Sequence, residues 1–427
     1  MTATFTGEVS SSPEYRAYYP LGLYDKENNK CVLSMTQRCN GENLNDLSGV
    51  NPMYAYSTTA DLTFYSICAL MRLVVRGTGT MKTITATADQ PLSGGCVIDK
   101  ETVGGTPYYF ARVDANGART VRLCCDTDVE LNVTSAKTFY LALPQGEYTN
   151  LKFTLRDGDG GVYVSTPVSL KLTAGKVCTK ELKGVSFVLP DCVLSNKFSV
   201  AEGKQVLFSR GSLYWNGGSF EFEDNQFGSG SISNGTWNTS HVPHFYYSRD
   251  MAVAYSEVYD DSEASDGDVL FTNDTETTPN PDFTVNGTAG IWRTLSNDEW
   301  RYMLNTRTMT HGKPRYTDKE KQSVTISGNS CKGVFIYPDD YNGTLIGTDD
   351  TTDTWGEIDA LGIIYLRQLG HRSGTDIVSV GYYGDYWSSS PFGAEQAYFF
   401  NFGNDYVQCV KNQRSSAFSV RMVCDAD

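Results

Sequence analysis

The stretch WRTLSNDEWRYMLNTR, residues 292–307, decides how the second half of the chain is read. Ser296 stands where a helix N-cap belongs, and Glu299 follows three residues later as its capping-box partner. Trp300, Met303 and Leu304 then recur at helical spacing and form an inner face. Trp292, ahead of the cap, reads as part of a buried strand. A second short helix is expected from Trp355 or Glu357 to Ala360. Ahead of these helices lie Gly/Ser/Asn/Asp-rich loops at 228–238, 260–268 and 273–286, a length that marks loops carrying function or pinned by a scaffold. The sequence from 190 onward therefore reads as α+β, with few helices and much loop.

Upstream the character differs. Val129, Leu131 and Val133 alternate with polar residues, as do Phe139, Leu141 and Leu143, and period-two alternation signals strands with one buried face. Leu151 to Leu155 and Val162 to Ser165 flank Arg156-Asp-Gly-Asp-Gly-Gly161, which predicts a hairpin. A further hairpin is expected where Val168, Leu170 and Leu172 precede Ala174-Gly175-Lys176. Residues 64–75 are apolar on both faces and are read as a buried strand. So many short strands predict an antiparallel β-sandwich. The boundary falls at about 190, giving regions 1–189 and 190–427, with a subdomain break in the first near 92–105.

Composition narrows the function classes. A charge of −15 over 427 residues argues against nucleic acid, because neutralising phosphates needs clustered Lys and Arg. No run of 18 apolar residues exists to span a bilayer. Met1 to Phe5 shows neither the basic nor the apolar region of a signal peptide, so the chain is read as cytosolic or as trimmed of its export signal. Eleven cysteines, odd in number and without a Cys-x-x-Cys, read as buried thiols rather than zinc ligands. Disulfides Cys31–Cys39 and Cys409–Cys424 stay open as alternatives.

Asp349, Asp350 and Asp353 bring enough oxygen donors for a weak Ca²⁺ site, while a solvated acidic loop is the plainer reading. No other cofactor is implied. His241 and His244, three apart, read as loop residues without an acidic metal partner. No Gly-x-Ser-x-Gly and no Cys–His pairing indicates a nucleophile. The aromatic run from Gly381 to Trp387 is the better candidate, because flat rings with polar edges suit sugar stacking and protein contact. Tyr382, Tyr383 and Asp385 are expected on a ligand surface, with His371 and Arg372 at its polar rim and Trp355 nearby. Trp387 and the serines after it read as core and turn.

The first half resembles the fimbrillin-like surface proteins of Bacteroidetes, through Ala3-Thr-Phe-Thr-Gly7, Tyr15-Arg-Ala-Tyr-Tyr-Pro20, Pro52-Met-Tyr-Ala55, Leu62-Thr-Phe64, Met81-Lys-Thr-Ile84, Pro91-Leu-Ser-Gly94 and Thr173-Ala-Gly175 in that order. The resemblance implies transthyretin-like β-sandwiches serving as pilus subunits or anchored surface proteins. The second half is similar to C-type-lectin-like modules, through Phe198-Ser-Val200, Gln205-Val-Leu-Phe-Ser209, the 292–307 block, Gly333-Val-Phe-Ile-Tyr-Pro338, Tyr386-Trp-Ser-Ser-Ser390 and Phe418-Ser-Val-Arg421. The Glu-Pro-Asn or Gln-Pro-Asp loop and the Trp-Asn-Asp of calcium-dependent sugar sites are absent from the sequence.

These resemblances imply a non-enzymatic adhesin at the cell surface or outer membrane, part of a fimbrium and placed at its tip. The final strand, Phe418 to Cys424, lies inside the lectin-like domain and is not expected to be donated to a neighbour. Partners would be other fimbrial subunits and a host or microbial glycan or protein. Contact with a membrane would come only through a lipid anchor. A surface glycan-binding lipoprotein without a fimbrial role is the alternative, and a formylglycine-generating-type enzyme using Cys331, Cys409 and Cys424 a remote one.

Overall fold

The computed structural model describes residues 14–25, 30–40, 47, 50–59, 61–103, 106–227, 234–236, 241–247, 279, 283–286, 288–317, 323–326, 329–346, 355–373 and 376–426. The fold is mainly β, with 54% strand against 6% helix. The chain forms two compact units, one of residues 1–158 and 162–188, the other of 159–161 and 189–427.

In the first unit, a sheet runs in the order Val162–Val164, Gly146–Arg156, Thr80–Thr87, Thr120–Glu130, Thr36–Cys39, and Val168–Leu172 also pairs with Gly146–Arg156. A three-stranded sheet has Ala69–Gly77 between Lys137–Leu143 and Val177–Val185. Their inward faces share one core that includes Leu73, Val75, Ile84, Leu123, Phe139 and Phe153. Ala69–Gly77 buries every second residue completely in this core, while Leu70 on its other face packs against the second core of the unit.

The hairpin expected at 151–165 forms, with Leu155 opposite Tyr163. The one expected around Gly175 does not. Val168–Leu172 pairs with Gly146–Arg156, whereas Val177–Val185 runs parallel to Ala69–Gly77. The turn at Ala174-Gly175 thus carries the chain from one sheet to the other. Gly175 has φ +71° and its N–H donates to the Cys68 carbonyl. Thr36–Cys39 is also parallel to its neighbour, so the pairing is mixed rather than wholly antiparallel. Gly77 is obligatory at the parallel edge, because a Cβ there would lie 2.0 Å from the Val185 carbonyl oxygen.

A second core in this unit is aromatic. It lies among Thr106–Val113, Gly94–Val103, Lys30–Leu33 and Tyr24–Asp25 in one sheet and Tyr15–Tyr19, Met53–Ser57 and Tyr65–Ser66 in another. Tyr18 stacks on Tyr24 at 4.6 Å and Tyr54 meets Tyr109 edge-on at 5.2 Å. Residues 94–103, within the stretch where sequence places a subdomain break, form a strand of the first of these sheets.

In the second unit, α1 spans Asn297–Arg301 and α2 spans Trp355–Ala360. The capping box is complete: the Ser296 hydroxyl accepts from the Glu299 N–H, and the Glu299 carboxylate accepts from the Ser296 N–H. After Arg301 the helix widens into a π-turn over Tyr302–Thr306, which turns Met303 and Leu304 into the core. Trp300 stacks flat on Phe400, with centroids 4.8 Å apart. Trp292 is buried, but its segment makes only an isolated bridge, Arg293 to Val423, and is not a strand.

Gly384–Phe392, Gln396–Phe402 and Val407–Gln413 form a three-stranded sheet whose residues Tyr386, Phe400 and Phe402 meet the helix in one core. Ser388, Ser389 and Ser390 belong to the first of these strands rather than to a turn, at a bulge between Trp387 and Pro391. The bulge frees the serines for other work. Ser390 Oγ accepts from the Asn297 N–H at the start of α1, and the Ser389 N–H donates to the Leu295 carbonyl. The two sequence blocks that flag this region therefore hydrogen-bond to each other.

Candidate functional site

The turn between Asp376–Val378 and Gly384–Phe392 holds the expected aromatic pair. Ser379 sits at φ +63°, and its carbonyl accepts from the N–H groups of both Tyr382 and Tyr383. Gly381, at φ +74°, donates to the Gln368 carbonyl, and the Tyr383 carbonyl accepts from the Gly370 N–H. A non-glycine residue in the left-handed region persists only where its surroundings over-determine it, so this turn is rigid. Its side chains point outward, with Tyr382 60% and Tyr383 41% exposed. The Lys332 ammonium lies 5.8 Å from the Tyr382 ring, and Tyr406 lies 6.5 Å from Tyr383.

Asp385 does not join that surface. It is buried, and its two oxygens are occupied: Oδ2 meets His371 Nδ1 at 3.1 Å and Oδ1 accepts from Asn401 Nδ2 at 2.6 Å. Asn401 Oδ1 accepts in turn from Gln408 Nε2 at 3.1 Å. Asp385 thus anchors a polar chain that rises from the core to exposed Gln408, with half-buried His371 at its other end.

Arg372 is likewise buried, with its guanidinium 5.4 Å from the Tyr246 ring, so it is no rim donor. Burial pulls its pKa down, with Tyr246 opposing. Trp355 packs elsewhere, between Phe227 at 5.5 Å and Tyr365 at 5.2 Å in a separate aromatic core. Asp349, Asp350 and Asp353 lie outside the described residues. So do the loops at 228–238, 260–268 and 273–286, apart from 234–236, 279 and 283–286. Among the described residues, no group of three or more His, Cys, Asp or Glu is arranged to hold a metal.

Sequence reasoning missed Tyr406, Lys332, Asn401 and Gln408. Sheet pairing sets Asn401 opposite both Asp385 and Gln408, whereas Lys332 comes from a different sheet and reaches the turn at the Gly381 carbonyl, 3.5 Å from its ammonium. It also missed the acidic partner of His241, whose Nε2 is 2.8 Å from Glu223 while its ring stacks on Tyr214 at 4.6 Å. His244 is fully enclosed against the Leu369 carbonyl, and burial pushes its pKa down to about 4. Neither arrangement is that of a metal ligand pair.

The two disulfides left open by the sequence do not join facing residues. Cys31 lies opposite Cys96 rather than near Cys39, while Cys409 lies opposite Phe400 and Cys424 opposite Leu207, on different sheets. Burial raises the Cys409 thiol to about 11, which suits a packed thiol rather than a nucleophile. The side chain of Cys331 is outside the described residues.

Set against known proteins, the chain matches no protein-family model, and no curated protein is significantly similar to it in sequence.

Proposed function

We propose that this chain is a non-enzymatic cell-surface adhesin, a fimbrial tip subunit whose second unit presents a lectin-like ligand surface at Tyr382, Tyr383 and Tyr406. The observation that carries the reading is the rigid turn at 379–383. It holds two exposed tyrosine rings outward, flanked by Lys332 and backed by the His371–Asp385–Asn401–Gln408 chain. Exposed rings ordered in advance bind with little entropic cost, and the exposed Gln408 amide and the Lys332 ammonium supply hydrogen bonds to hydroxyl-rich ligands. The resemblance of residues 198–421 to C-type-lectin-like modules, and of 3–175 to fimbrillin-like sandwiches, supports the same assignment.

The tip position rests on a further observation. The strand Val423–Asp425 pairs with Lys204–Phe208, and Asp425 is clamped by Arg293. A strand held by a buried ion pair is not released to complete a neighbour's sheet. Purified protein that polymerises through this strand would remove the tip assignment. A glycan array tests the ligand surface: wild type should bind a subset of glycans, and Tyr382→Ala/Tyr383→Ala should bind them at least about tenfold more weakly. Equal binding by the double variant would dismiss the surface. Strong binding to a polysaccharide, with fimbriae unchanged on deletion of the gene, would favour a glycan-binding lipoprotein instead.

A further inference from the structure

The first unit contains two pairs of facing thiols that neither the ligand surface nor the fimbrial reading uses. Cys31, on Lys30–Leu33, is the antiparallel partner of Cys96, on Gly94–Val103. Cys39, on Thr36–Cys39, is the parallel partner of Cys125, on Thr120–Glu130, and their sulfurs are 3.0 Å apart. All four are buried: the first pair in the aromatic core, the second in the sandwich core. Facing residues on antiparallel strands have Cα atoms about 4.5–5.5 Å apart, and neighbouring strands in general lie about 4.7–4.9 Å apart, both inside the window of about 4.4–6.8 Å that a disulfide requires.

We propose that these pairs are disulfide sites, Cys31–Cys96 and Cys39–Cys125, which together staple residues 30–39 to two different sheets. Thr36–Cys39 is the edge strand of its sheet and is held by only four register positions. Short edge strands are where sheets open or exchange partners. The Cys39–Cys125 bond would close that route, and the Cys31–Cys96 bond would hold the preceding strand in the other sheet.

The chemistry requires an external oxidant, an exchangeable donor disulfide. One thiolate of a pair attacks a donor sulfur, forms a mixed disulfide and expels the donor's first thiolate. The second protein thiolate then attacks the mixed disulfide at the protein sulfur and expels the donor's other thiolate. The protein pair loses two electrons and two protons, and the donor is reduced to two thiols. In each pair the two thiols are close enough to hydrogen-bond to each other, the arrangement from which the second step closes the bond. Cys68 has no such facing partner, and burial lifts its thiol to about 12.

The full-length protein, equilibrated in mixed oxidised and reduced glutathione, trapped with N-ethylmaleimide and digested without reduction, decides the matter by peptide mass spectrometry. Linked peptides joining 31 to 96 and 39 to 125 are expected, with fragment ions placing the second bond on Cys125 and not on Cys124, and with Cys68 alkylated. Alkylation of all four cysteines, or a Cys31–Cys39 link, overturns the proposal. Cys39→Ser/Cys125→Ser should lose only its own link and melt roughly ten degrees lower under oxidising conditions, while reduction lowers the wild type by at least as much. A wild-type melting temperature indifferent to reductant would overturn the stapling role. If the double variant does not fold, the wild-type map and its response to reductant still decide.

Discussion

Arg293→Met should cost the second unit about 3–5 kcal/mol, the usual consequence of removing one member of a buried ion network. Arg293 has no exposed side-chain surface, and its N–H groups are all engaged. Nε and Nη2 donate to Asp425 Oδ1 at 3.0 and 2.8 Å; Nη1 and Nη2 donate to the two Glu299 oxygens at 2.7 and 3.0 Å; and Nη1 also reaches the Thr294 carbonyl at 3.2 Å. Burial alone would favour neutral Arg293, but Asp425 and Glu299 outweigh it and hold the guanidinium charged. Without the guanidinium, Asp425 and Glu299 stay buried as charges, with Lys204 at 2.8 Å the cation left beside Glu299.

All six tryptophans lie at or beyond residue 215, so urea unfolding followed by tryptophan fluorescence reports the second unit alone. The double variant Arg293→Met/Glu299→Gln should recover at least about 1 kcal/mol over Arg293→Met, because glutamine keeps the capping geometry without the orphaned charge. Acid gives an independent reading. Burial alone would raise the Glu299 pKa, yet Arg293 and Lys204 outweigh it and the net shift is downward. A depressed carboxyl contributes stability that is present above about pH 4.3 and is lost as pH falls through the folded-state value, a loss that Glu299→Gln should lack. A loss below about 1 kcal/mol for Arg293→Met, or a double variant no better than the single, would refute the reasoning.

Three further outcomes are expected. His244, whose folded pKa lies near 4, stays neutral in the fold while the unfolded chain takes up a proton below about pH 6.5; stability should therefore fall by about 1.4 kcal/mol per pH unit between those values, and His244→Gln should flatten that slope in pH-dependent melting. Trp387→Ala should destabilise by about 3–5 kcal/mol in urea titration, because the indole is buried against Phe418 at 4.4 Å and donates from Nε1 to the Phe245 carbonyl at 2.7 Å. Tyr382→Ala, by contrast, should change stability by less than about 0.5 kcal/mol while reducing glycan binding, since its ring is mostly exposed.

Local signals were the legible ones. The Ser296/Glu299 box and the apolar spacing after it place α1, and the Gly/Asp cluster at 157–161 places its hairpin, because each is settled by bonds within a few residues. The turn at Gly175 was misread for the opposite reason. Its residues suit a hairpin, but the next strand finds its partner at Ala69–Gly77, about a hundred residues away, and such pairing leaves no local mark. The π-turn after Arg301 is similar, since its residues also suit an ordinary helix continued through Leu304. The exposure of Tyr382 and Tyr383 is legible in the Gly/Tyr run, whereas the depth of Asp385 and Arg372 is not. A charged residue between aromatics looks exposed until Asn401 and His371, or Tyr246, are seen to satisfy it.

That distinction bears on what the candidate surface can do. The burial of Asp385 leaves its oxygens committed to the protein, so a ligand would meet rings, the Gln408 amide and Lys332 rather than a free carboxylate. Removing the carboxylate's charge tests whether its task is support. Asp385→Asn weakens the hold on His371 and Asn401 without deleting an exposed group, so it should lower affinity less than the loss of Tyr382 and Tyr383 and should also lower the melting temperature. A side chain contacting ligand directly would show the reverse, a large affinity loss at unchanged stability. Measuring both quantities on the same preparation separates the two roles.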